Sequence, residues 1–205
     1  MGKIETATQW MIDLANDDSH GYDQDSRWGP DYDCSSSVIS AWQYAGVPVK
    51  TKGASSTYDM KNVFLSCGFT NVISSVNVST GAGLKRGDVL HRSGHTAMYI
   101  GNNKQVAAHL NEKGTTKGGK TGDQTGKEIS VSAYSNSSSN PWTAVLRYTA
   151  EAETTPTQPT TKAGEWIQGS NGKWWYRHTD GTCTKSDWEL IDGSWYYFDA
   201  DGWMM

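Results

Sequence analysis

The sequence predicts an α+β fold, and three observations carry the prediction. Apolar residues recur at helical spacing in three early segments. Short apolar strands separated by glycine and polar turns follow from about residue 70 onward. Beyond residue 163 the pattern changes again, to aromatic hairpins. Helices first and strands later, rather than alternating, describe helices packed on an antiparallel sheet.

The helices come first. Residues 3–15 place Ile4, Ala7, Met11, Leu14 and Ala15 on one face. Residues 34–45 do the same with Val38, Ala41, Trp42 and Ala45, and Gly46 and Pro48 end that helix. Residues 57–67 align Met60, Val63, Phe64 and Cys67, with Gly68 as the stop. Strands are expected at roughly 70–76, 88–92, 95–100, 104–110, 128–133 and 143–149. Residues 1–149 form the first domain on this reading. Residues 150–163 are Thr/Pro-rich without bulky apolar side chains, the composition of an extended linker. Residues 164–205 form the second domain. There Gly172-Lys173-Trp174-Trp175-Tyr176 with Asp180-Gly181 recurs 21 residues later as Gly193-Ser194-Trp195-Tyr196-Tyr197 with Asp201-Gly202, which predicts stacked hairpins.

Composition narrows the function. The net charge is -4 and basic residues never run beyond two, so no nucleic-acid footprint is present. Three cysteines, Cys34, Cys67 and Cys183, are an odd number without short spacing, which argues against a disulfide framework or a thiolate zinc site. No stretch has the length of a membrane-spanning helix, and the first residues lack an apolar leader region. The chain is expected to be made in a cytoplasm. Most of its ten tryptophans lie beyond residue 165, which sets the tail apart.

Cys34 is the candidate nucleophile. It sits where a polar loop (Tyr32-Asp33) becomes a helix, and a helix N-terminus favours negative charge on sulfur. Cys67 continues an apolar helix face and reads as packing. His95 opens an apolar strand behind a Ser93-Gly94 turn and is the candidate base; His109 closes the next strand. A three-residue loop at Gly101-Asn102-Asn103 puts His95 opposite His109 and Ala97 opposite Ala107, on one face of the sheet, whereas a two-residue loop reverses the pairing. Turn residues alone leave the choice open. His20, His91 and His178 read as ordinary polar or packed histidines, and no HExxH spacing suggests a metal. The Lys/Gly/Thr-rich stretch 113–127 reads as a solvated loop.

Asp33-Cys34-Ser35, Gly87-Asp88-Val89-Leu90, the run His95-Thr96-Ala97-Met98-Tyr99-Ile100-Gly101 and the later His109 stand in the order of the NlpC-type peptidoglycan hydrolases, which this chain resembles. The segment Gly29-Pro30-Asp31-Tyr32-Asp33-Cys34-Ser35-Ser36-Ser37 is similar to the bacteriophage hydrolases of the Pal amidase type; NlpC relatives more usually carry glycine where Ser36 stands. The tail resembles choline-binding cell-wall repeats. The resemblance implies a papain-like fold in which Cys34 attacks a peptidoglycan amide and forms a thioester. It implies that His95 keeps the thiolate and then protonates the leaving amine, that His109 orients His95, and that Tyr32, Asp33 and Ser36 line the cleft. It implies no metal and no organic cofactor. Pal-type enzymes cut between N-acetylmuramic acid and L-alanine, and NlpC relatives more often cut after D-glutamate. Phage lysins without a leader usually reach the wall through a pore.

For the tail, the resemblance implies a cation held between aromatic faces. Trp174, Tyr176, Trp188, Trp195, Tyr197 and Met204 are the candidate wall-ligand residues, and choline or another wall polymer the candidate ligand. Only about two repeats are present, with Arg177 where the second has Phe198 and Cys183 where it has Met204. A homodimer through the tail is one way to complete a site. Two other readings stand beside the lysin: a non-catalytic wall-binding protein, which predicts loss of Cys34, His95 or His109, and a cysteine amidase of CHAP or transglutaminase-like type.

Overall fold

The structure is a computed structural model that describes residues 2–110, 128–150, 164–191 and 194–205, without the side chains of Asp187, Trp188, Leu190, Ser194 and Trp195. Residues 113–127 and most of the expected linker lie outside the described residues. The chain divides into two compact units, Met1–Ala152 and Glu153–Met205.

In the first unit, α1 (Lys3–Asn16) buries Ala7, Met11 and Leu14, the face set by the helical period. Helix α2 (Cys34–Tyr44) is buried on nearly every side, including Ser35, Ser36 and Ser37, as befits a central helix. Helix α3 (Met60–Ser66) starts three residues later than its periodicity predicts. The Asp59 carboxylate accepts the N–H groups of Ser55 and Ser56 at 2.7 and 3.0 Å and holds residues 55–59 in a turn.

Six strands form one antiparallel sheet: β1 (Phe69–Asn71), β2 (Val89–Arg92), β3 (His95–Gly101), β4 (Lys104–Ala108), β5 (Ile129–Ala133) and β6 (Ala144–Tyr148), in the order β1-β6-β2-β3-β4-β5. The strand expected over 70–76 stops at Asn71 because its side chain accepts the N–H of Ile73 at 3.3 Å; a short 3-10 turn follows. Strand alternation sorts the side chains into two layers. Val89, Met98, Val106, Ala144 and Leu146 meet Val38, Ile39, Trp42 and Phe64 on the helix side. Leu90, Ala97, Tyr99, Ala107, Trp142 and Val145 form a second cluster on the other side, against partly buried residues of the 72–84 segment. Trp42 is fully buried against Phe69 and Tyr148, and its truncation to alanine is expected to cost about 3–5 kcal/mol.

The β3–β4 hairpin decides where the histidines fall. Its loop is the two-residue turn Asn102-Asn103, both with positive φ (51° and 55°), the conformation of a type I′ turn. Taken alone, that turn reverses the expected pairing. A bulge between Tyr99 and Gly101 absorbs one residue, so Gly101 pairs Lys104 while Tyr99 pairs Gln105 and Met98 pairs Val106. The three-residue loop is therefore corrected, and the register it was meant to produce is restored by other means. Strand β4 ends at Ala108, so His109 stands just past the strand, where its N–H donates to the Glu128 carbonyl at 2.5 Å.

The second unit contains two hairpins, β7 (Gly164–Gln168) with β8 (Trp174–His178) and β9 (Asp187–Ile191) with β10 (Ser194–Phe198). Tyr176, Ile191 and Phe198 make its core, with Trp166, Tyr196 and Met204 packed against it. A buried pair fastens one hairpin to the other: His178 Nε2 lies 2.9 Å from Glu189 Oε1.

Candidate active site and wall-ligand site

Cys34 is the first residue of α2, and the sequence before it builds the helix cap. Asp33 accepts the Ser36 N–H at 2.6 Å, and Ser36 Oγ accepts the Asp33 N–H at 2.9 Å, a reciprocal capping box. Asp33 also accepts Ser35 Oγ–H and the Arg27 guanidinium, each at 2.8 Å. Asp33 and Ser36 are buried and fully engaged in this cap. Their polar atoms have protein partners, and together they set the position of Cys34 at the start of α2. Tyr32 is half-buried, edge-on to Trp10 at 5.5 Å and near His20 at 6.0 Å.

Cys34 is 7% exposed. Burial pushes it up to about 11, the Asp33 carboxylate adds to the rise, and N–H groups of Thr96, Ser35 and Cys34 pull it back. The magnitudes explain the outcome. A helix end contributes about 0.3–1 kcal/mol, whereas a rise from 9.0 to about 11 corresponds to about 3 kcal/mol against the thiolate. A thiolate kept at rest is not what this environment favours. The Thr96 N–H also ties the sulfur to the residue that follows His95.

His95 and His109 come together, with ring centroids 5.3 Å apart. His95 also stacks on Trp142 at 5.8 Å and 23°. Burial, then the nearby charges of His109 and Arg92, push His95 down to about 4; burial alone lowers His109. Burial thus disfavours the charged form of both the thiol and the imidazole. Cys67 caps α3 and packs partly against the core. His91 is buried with Nε2 2.8 Å from the Thr57 carbonyl. Among the described residues, no three His, Cys, Asp or Glu side chains converge as a metal-ligand set.

Tyr22 is a neighbour that sequence reasoning missed. It is 5% exposed, its hydroxyl accepts from Gln24 Nε2 at 3.0 Å, and burial pushes it up to about 12, with the charges of Cys34 and Asp33 adding. A backbone bridge between Tyr22 and Tyr32 brings it there. One tyrosine in a polar loop carried no signal, because only folding of the 21–32 segment back on itself makes it a neighbour of the thiol.

In the second unit, Trp166, Trp174, Tyr196 and Met204 line a cavity of about 340 Å³. Trp174 and Met204 were expected there; Trp166 and Tyr196 were not. Tyr176 is 4% exposed and packs edge-on to Trp166 in the core of the unit. Tyr197 does not line the cavity, because β10 turns Tyr196 and Phe198 toward Trp166, with centroids at 4.8 and 6.0 Å. Phe198, the most apolar residue of that strand, was the signal for this phase. The side chains of Trp188 and Trp195 lie outside the described residues.

Residues 29–106 and 105–163 match the endolysin-like domain family, a span that contains Cys34, His95 and His109. Residues 186–204 match a putative cell wall binding repeat. No curated protein matches the chain. The chain belongs to the endolysin-like domain family and carries a cell wall binding repeat in its tail.

Proposed function

We propose that the protein is a cell-wall-targeted peptidoglycan hydrolase of the Pal amidase type, with a papain-like NlpC core, that cuts the bond between N-acetylmuramic acid and L-alanine. The observation that carries this reading is the meeting of a buried helix-terminal thiol, through the Thr96 N–H, with the strand that bears His95, whose imidazole lies against that of His109. Membership of the endolysin-like domain family supports the cell wall as the substrate.

The chemistry follows from the resting charges. His95, uncharged at neutral pH, takes the Cys34 proton as the sulfur attacks the carbonyl carbon. The developing oxyanion is met by backbone N–H groups at the start of α2, with the Tyr22 hydroxyl nearby. The imidazolium then returns its proton to the leaving amine, L-alanine departs with its peptide, and a thioester remains on Cys34. Water, activated by the same imidazole, releases the muramic acid carboxyl and regenerates the thiol. His109 orients His95 throughout.

The tail reading is that the cavity of Trp166, Trp174, Tyr196 and Met204 takes a quaternary ammonium such as choline, because aromatic faces attract a diffuse cation. Dimerisation through the tail is the route by which a second cage forms. Light scattering with and without choline tests it.

Mass spectrometry of fragments released from purified peptidoglycan tests the reaction, with Cys34→Ala alongside. Stem peptides beginning with L-alanine, absent in the variant, are the expected products. Fragments beginning at the third stem residue assign the enzyme to the endopeptidases instead.

A further inference from the structure

Three groups outside the helix cap surround the imidazole of His95. Trp142 precedes β6, is 4% exposed, and lies nearly parallel to the imidazole, 5.8 Å away with 23° between the planes. The indole is itself fixed: its Nε1–H donates to the Ser135 carbonyl at 3.0 Å, and its backbone N–H donates to Asn136 Oδ1 at 2.9 Å. Arg92, the cross-strand partner of His95, lays its guanidinium over the same indole at 4.9 Å and donates to the Asn140 carbonyl. Arg92 from β2 and Asn140 and Trp142 from the loop before β6 thus close one side of the site.

We propose that Trp142 is the positioning residue for His95, fixing the plane of the imidazole by stacking while Arg92 locks the indole in place. The inference rests on the reading of His95 as the base, and it adds something the nucleophile and histidine pair do not contain. An imidazole at the first residue of a strand is free to turn about its side-chain torsions. The His109 ring, 5.3 Å away and tilted by 36°, constrains it at one place only. A flat, anchored indole removes the remaining freedom, and it also excludes water from that side. The charged or titratable groups that act on His95 are Arg92 from β2 and His109 from beyond β4; both disfavour its protonation, in the same direction as the dry indole wall.

Two measurements on the full chain separate this role from simple packing. Nuclear magnetic resonance titration of the His95 ring reads its environment without any turnover. The pH dependence of peptidoglycan hydrolysis reads its consequence. Trp142→Phe keeps a flat ring and should leave the titration near its wild-type midpoint, with kcat within about threefold. Trp142→Leu removes the ring; the His95 midpoint should rise toward 6.5, the acid limb of the rate should follow it, and kcat should fall about tenfold with KM unchanged. If Trp142→Leu does not fold, Arg92→Lys carries the test, because it keeps the positive charge that itself lowers His95 while removing the flat guanidinium that holds the indole, and it should raise the same midpoint. A folded Trp142→Leu or Arg92→Lys protein whose His95 midpoint and acid limb stay in place overturns the proposal. The base assignment fails separately, and independently of the titration, if His95→Asn retains hydrolysis.

Discussion

Arg27 clamps the cap of the nucleophile helix: its Nη1 donates to Asp33 Oδ2 at 2.8 Å while its Nη2 donates to the Ser55 carbonyl at 2.7 Å. From Ser55 the bonding continues into the 55–59 turn. The Thr57 carbonyl there meets His91, and Thr57 Oγ1 accepts the N–H of Gly94, the residue before His95, at 3.2 Å. A chain of polar contacts therefore runs from the residue before Cys34 to the residue before His95.

Arg27→Met should break that chain at its first link. Asp33 keeps only its serine partners, and stability should fall by about 1–3 kcal/mol with hydrolysis reduced about tenfold. Arg27→Lys should not restore the rate, because a single ammonium cannot bond two divergent oxygens as a guanidinium fork does. Urea unfolding and turnover of the two variants are the measurements; full rescue by lysine removes the clamp.

Cys34→Ala should abolish hydrolysis while leaving the fold and wall binding intact, since the cap around it is made by Asp33 and Ser36. Cell-wall sedimentation and turbidity assays check the two halves. Retained lysis excludes the thiol mechanism. Cys67→Ala should keep activity because that side chain only packs.

The pH dependence has a defined sign. His91, His95 and His109 are all held below the ordinary imidazole value of 6.5 by burial, His95 to about 4. Between those two values the unfolded chain binds more protons than the folded one, so stability rises with pH. Their contribution is full above 6.5 and is lost as pH falls toward about 4. Thermal unfolding at several pH values should show Tm dropping across that window. Hydrolysis should likewise hold an acid limb near 4 rather than near 6.5; a limb at the ordinary value contradicts a buried, uncharged His95.

For the tail, Trp174→Ala should weaken choline binding about tenfold or more without unfolding the hairpins, since Trp174 is 40% exposed at the cavity. Tyr176→Ala should destabilise the unit instead, since that ring is its core. Tryptophan fluorescence with choline, beside thermal melts, distinguishes the two; equal effects on binding and melting for both would merge cage and core.

The elements that follow from periodicity were legible in the sequence. Helices α1 and α2 and the strands that carry Leu90, Ala97 and Val145 appear where alternation places them, because burying apolar faces dictates them locally. The candidate nucleophile and its histidines were legible for a different reason: each has a chemistry rare enough to stand out. What was not legible depends on contacts remote in sequence. Tyr22 comes near enough to Cys34 for their charges to interact only when its loop folds back, Trp142 reaches His95 across 47 positions of chain, and Tyr196 faces the cavity through a shift in strand phase. The capping role of Asp33 and Ser36 was not legible because a cap and a cleft call for the same polar side chains.

The Ile100 bulge in β3 has a consequence for chain length. Side chains alternate along a strand, so what keeps His109 level with His95 is the parity of the segment between them, not its size. Two residues can be added to the Asn102-Asn103 turn without moving either imidazole to the other face. A single deletion there inverts the pair, unless a second deletion removes the bulge as well. Loop-length variants of this hairpin should thus be inactive for odd changes and active for even ones, a pattern that stability alone does not produce.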